Sequence, residues 1–79
     1  MSRAADLVAF LAARIVDEPA AVRVEEVESD GDLVIRLYVA EADRGKVIGK
    51  RGRMVQALRT LARAAGARGE HRVMLEIAE

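Results

Sequence analysis

The chain has 79 residues, thirteen basic and thirteen acidic side chains, no cysteine and one histidine. That length leaves room for one domain. The missing cysteines exclude a disulfide scaffold, a thiolate zinc site and a thiol nucleophile, and His71 has no partner cluster for metal or acid–base work, so no cofactor, metal or catalytic residue is expected. The zero net charge hides an asymmetry: residues 1–43 carry ten acids and four bases, residues 44–79 nine bases and three acids. A nucleic acid responds to the local field of the basic half, not to the sum.

Two further exclusions follow. No apolar run approaches the roughly 20 residues needed to span a bilayer, and Met1-Ser2-Arg3-Ala4-Ala5-Asp6 lacks the parts of a signal peptide, so a cytoplasmic location with no membrane partner is expected. Phe10 and Tyr38 are the only aromatic residues. A fold that stacks bases on an aromatic sheet is therefore excluded, and any nucleic-acid contact must rely on backbone and charge.

In chain order, Leu7, Phe10, Leu11 and Ile15 follow helical spacing, and Asp17-Glu18-Pro19 ends that helix, since the residue before proline is pushed out of the helical region. Val22 and Val24 alternate with charged residues as in a half-exposed strand, with Val27 on the opposite phase. Ser29-Asp30-Gly31-Asp32 predicts a hairpin turn. Leu33 to Val39 reads as a strand with Leu33, Ile35, Leu37 and Val39 on one face. Glu41 to Ile48 has the length and charge order of a short helix, acids early and Lys46 late, with Gly49 to end it. A second helix is predicted from about Arg53 to Ala65, with Val55, Leu58, Leu61, Ala62 and Ala65 as its apolar stripe and Arg59 and Arg63 four apart on its polar side. Gly66-Ala67-Arg68-Gly69 reads as a loop, and Val73, Leu75 and Ile77 as the apolar phase of a closing strand.

The order helix–strand–strand–helix–helix–strand implies an α+β fold: a three-stranded mixed sheet with three helices on one face. A crossover of two helices permits the last strand to run parallel to the Leu33–Val39 strand.

Gly49-Lys50-Arg51-Gly52 joins the two central helices. Two glycines let another backbone come close, and the start of the following helix offers unpaired N–H groups and partial positive charge, a ready phosphate site. Lys46, Lys50, Arg51 and Arg53 cluster there, and no acid interrupts the stretch from Arg44 to Arg59. On their pattern alone Val47, Ile48 and Val55 read as core. Arg68, His71 and Arg72 read first as a solvated loop.

The segment Gly45-Lys46-Val47-Ile48-Gly49-Lys50-Arg51-Gly52-Arg53-Met54-Val55 resembles the KH signature, a GxxG loop between two helices that clamps about four nucleotides. The element order resembles the type II KH arrangement over nearly the whole chain, which suggests one KH domain over residues 1–79. Length, the segment 45–65 and the ending Arg72–Ile77 resemble the small bacterial single-KH proteins of the KhpA family. Val55 departs conservatively from a position where isoleucine is commoner. The resemblance implies binding of short single-stranded RNA, with Gly49, Lys50, Arg51 and Gly52 at the backbone, Lys46 and Arg53 flanking them, and Val47 and Ile48 near the bases. It also implies a homodimer, or pairing with a larger KH protein of the KhpB (Jag) type, and a role as post-transcriptional regulator or RNA chaperone linked to cell elongation and shape.

Two rivals are weighed against this. A nucleotide-hydrolysing P-loop fails on spacing, because only three residues separate Gly45 and Gly49 and Arg51 has no hydroxyl for magnesium. A protein-interaction adaptor on a KH fold, with little RNA binding, remains the alternative.

Overall fold

The computed structural model describes residues 2–66 and 72–78. Helix α1 covers Arg3–Ile15, capped by Ser2, whose hydroxyl accepts the Ala5 N–H at 3.1 Å. Strands β1 (Arg23–Ser29) and β2 (Asp32–Tyr38) form an antiparallel hairpin, closed by Asp30 and Gly31, both at positive φ as a tight type I′ turn requires. Helix α2 (Arg44–Ile48) and helix α3 (Arg53–Ala65) cross over to β3 (Val73–Ile77). β3 pairs parallel to β2, with Leu33 opposite Val73 and Leu37 opposite Ile77, so the sheet order is β1-β2-β3 and β2 is central. The mixed sheet and the three helices are those the sequence implies.

The core lies between the sheet and the helices. Leu33, Ile35 and Leu37 of β2 and Val73 and Leu75 of β3 meet Val8, Val47, Val55 and Leu58 from the helices. The opposite face of the sheet is solvated, and its charges compensate each other: Arg36 pairs with Glu76 at 3.5 Å, and Arg72 reaches Asp32 through Nε and Nη2 at 3.3 and 3.2 Å. Val27, on the opposite phase of β1, is exposed.

Three local expectations need correction. The buried stripe of α1 is Ala4, Ala5, Val8, Ala12 and the cap residue Val16, whereas Leu7, Leu11 and Ile15 are half-buried and Phe10 is 58% exposed. α1 has two apolar faces, and the small one wins because alanines let it sit closely against its neighbours. On α3, Val55, Leu58 and Ala62 are buried as expected, but Leu61 is exposed. The segment 41–48 is also less regular than a single helix: Glu41–Asp43 forms a 3₁₀ turn, and α2 follows with only five residues.

Candidate nucleic-acid interface

A five-residue helix does not hold its own shape in water, so α2 must be fixed from outside. Asp43 does this. Its carboxylate is buried, 2% exposed, and accepts the Asp17 N–H at 3.2 Å and the Glu18 N–H at 3.0 Å. The end of α1 is thereby tied to the start of α2. Lys46 completes the knot, donating to Asp17 and lying 3.8 Å from Asp43. The hydrogen bond to Asp17, with help from both carboxylate charges, raises the Lys46 pKa above its ordinary value. Such a contribution is complete below the unfolded lysine pKa and fades only as pH rises through the raised folded value, so the tie is intact at neutral pH.

The other end of α2 leads into the loop. Gly49 has φ 78° and donates its N–H to Gly45 O at 2.8 Å. A Cβ built on Gly49 would fall 2.6 Å from Met54 Cβ and 2.8 Å from Met54 N. Both the backbone angle and the space therefore require glycine. Gly52 N–H closes the turn on Gly49 O at 3.2 Å. Arg51 and Gly52 are consecutive left-handed residues, at φ 56° and 73°. Around Gly52 there is room: a Cβ there would meet nothing nearer than Val55 Cγ1 at 3.9 Å. α3 then starts with no side-chain cap, which leaves its first turn available to an external acceptor.

Lys50, Arg51 and Arg53 are exposed at this turn, and none of the three makes a side-chain hydrogen bond or ion pair among the described residues. Gly49 and Gly52 are half-buried beneath them. Of the two apolar residues expected near the bases, Val47 is wholly buried in the core and Ile48 is exposed beside the loop. Val55 is also core. Arg72, on the strand wall, is engaged by Asp32. Arg68 and His71 lie outside the described residues.

Beyond the loop, α3 and the free edge of β3 bound a groove of about 330 Å³, lined by Gln56, Arg59 and Arg63 from the helix and Met74, Leu75 and Glu76 from the strand. Arg53, Gln56, Arg59 and Arg63 fall three or four residues apart, so they form one file along α3 from the loop into the groove. Arg59 bridges the two walls, its Nε donating to Leu75 O at 3.3 Å. Arg72 O and Ala78 N bond into β2. In a parallel ladder alternate residues face opposite edges, so Leu75 turns its backbone groups toward the groove. Sequence reasoning placed Arg59 and Arg63 on a polar helix face but did not connect them to the site. The available signal was their continuity with Arg53 at helical spacing.

The model of the family described as KhpA/KhpB, KH domain matches residues 5–77. The chain belongs to this KH-domain family. Among its relatives, the RNA-binding protein KhpA of Aquifex aeolicus is 47% identical over the full length of both chains. That of Caldanaerobacter subterraneus is 47% identical, covering 91% of this chain and 96% of the relative. That of Bacillus subtilis is 42% identical, covering 91% and 89%. The solved structure of a point variant of Aquifex aeolicus Era bound to GDP·AlF4⁻ shares the fold with a TM-score of 0.67 at 24% identity, over 94% of this chain and 29% of that one. The family is one of RNA-binding proteins, not an enzyme family. Among the described residues, no helix is long and apolar enough to cross a membrane.

Proposed function

We propose that this chain is a non-catalytic RNA-binding protein whose one KH domain takes a short single-stranded RNA, holding its backbone at Gly49-Lys50-Arg51-Gly52 and its bases along the α3–β3 groove. The observation that carries the reading is the turn itself. Two exposed, unengaged cations, Lys50 and the left-handed Arg51, stand at the uncapped start of a 13-residue helix. Phosphate contacts of this kind give affinity and register rather than sequence. Arg53 extends the basic track, Ile48 adds apolar surface beside it, and Lys46, paired with Asp17 and Asp43, flanks the loop and holds α2 in position.

One groove of this size binds weakly, and two linked grooves gain through effective concentration. We therefore infer that the chain works as a homodimer or beside a larger KH protein of the KhpB type, as a post-transcriptional regulator or RNA chaperone in the cytoplasm.

The test is the double variant Lys50→Asp/Arg51→Asp, compared with the natural chain by crosslinking and sequencing of bound RNA. Loss of recovered RNA with fold and assembly preserved is the expected result. Aspartate tolerates the left-handed conformation at position 51 better than most residues, so stability should move by no more than about 0.5 kcal/mol. If both proteins recover the same negligible RNA, or if cellular function survives the change, the adaptor reading replaces this one. Binding should also fall with salt, with a log–log slope of about −2 for three phosphates on a single strand.

A further inference from the structure

Arg59 differs from the other cations of the basic track. Lys50, Arg51 and Arg53 are exposed and make no side-chain bond among the described residues, whereas Arg59 is half-buried and anchored, Nε to Leu75 O at 3.3 Å. A guanidinium is planar, so fixing Nε fixes the plane and with it the two terminal nitrogens. Arg59 forms no ion pair among the described residues. Its Nη groups therefore remain as a paired set of donors in a groove that Gln56, Arg63 and Glu76 also line. The acceptors nearby are largely engaged: Leu75 O by Arg59 itself, and the Glu76 carboxylate by Arg36 at 3.5 Å across the sheet.

We propose that Arg59 is a specificity-determining residue whose anchored fork selects bases presenting two adjacent acceptors, O6/N7 of guanine or O2/N3 of cytosine, over adenine. This rests on the RNA-binding reading of the groove and deepens it. Guanine offers two acceptors side by side to a guanidinium, and adenine sets its amino donor beside its acceptor instead. Against adenine one N–H of the fork would lose its water and gain no partner, and such unpaired donors are what give hydrogen-bonding sites their discrimination. The anchor strengthens the effect, because a fork held in place before binding loses little freedom when a base arrives. Uracil separates its two carbonyl oxygens by an N–H and does not match a two-donor fork.

The test uses the full chain and three labelled RNA strands of equal length, read by fluorescence anisotropy: adenine alone, adenine interrupted by guanines, and adenine interrupted by cytosines. The natural chain should bind one or both interrupted strands about tenfold more tightly than the adenine strand, within the range of one bidentate base contact. The guanine and cytosine arms identify which edge is read. Arg59→Lys keeps the charge and removes the fork, so it should bring the ratio close to one by weakening the interrupted strands more than the adenine strand. Arg59→Met should also bring the ratio close to one, with weaker binding overall. The ratio is taken within one protein preparation, so a misfolded fraction does not alter it. A ratio unchanged in Arg59→Lys overturns the assignment. So does an equal fall for all three strands, which would make Arg59 a structural tie between α3 and β3. If the natural chain binds none of the strands, the RNA-binding reading falls and this one with it.

Discussion

Lys46, in the middle of α2, and Lys50, two residues beyond its end, stand four positions apart, and their surroundings differ in kind. Lys46 closes a knot with Asp17 and the buried Asp43, which also accepts two backbone N–H groups. Lys50 stands on the loop without a protein partner among the described residues. One end of α2 is built for position and the other for contact. A count of basic residues near a GxxG loop therefore overstates the charge that can meet a phosphate, because part of it is already neutralised in holding the loop in place.

Five variants break or sharpen this contrast. The largest effect is expected at the positioning end. Asp43→Ala should cost about 2–4 kcal/mol of unfolding free energy in urea, since it leaves two partly buried N–H groups without acceptors and removes a charge from beside Lys46. Gly49→Ala attacks the junction between the two ends. Positive φ and the overlap with Met54 should together cost about 1–3 kcal/mol, and RNA affinity should fall as well, because the start of α3 must shift. The third comparison separates the lysines by salt titration of RNA binding. Lys50→Ala should reduce the slope by about 0.7, one phosphate contact on a single strand, whereas Lys46→Ala should leave the slope unchanged; equal changes would place both lysines at the phosphates. The smallest effect is at Arg51, a non-glycine residue held in left-handed geometry. Arg51→Gly should relieve strain and raise stability by about 0.5 kcal/mol while weakening binding. A loss of stability instead would mean that the Arg51 side chain helps to hold the turn.

Much of the frame was legible because period and punctuation agreed. Asp30-Gly31 fixed the hairpin, the alternation of Leu33, Ile35 and Leu37 fixed the core face of β2, and α3 runs over the residues expected from its stripe and flanking glycines. The buried face of α1 was misread because hydrophobicity ranks Phe10 and Leu11 above Ala4, Ala5 and Ala12, although close helix packing rewards small volume. At the site, the GxxG loop was visible as a pattern, but the roles of its neighbours were not. Lys46 looks like another phosphate ligand until Asp17, 29 residues earlier, is seen to hold it. Arg59 looks like an ordinary surface arginine until Leu75 is found across the groove. Both depend on contacts between distant segments, which no local window contains.

The parallel pairing of β3 with β2 has a consequence for assembly. Leu33 and Val73 are partners across 40 positions of chain, and contacts of such long range form late because the intervening loop must first be closed. The tie that fixes α2 is also long-range, from Asp43 back to Asp17 and Glu18. The GxxG turn and the strand edge of the groove therefore both wait on contacts between distant segments, so the two walls of the candidate site should be completed late and together as the chain folds.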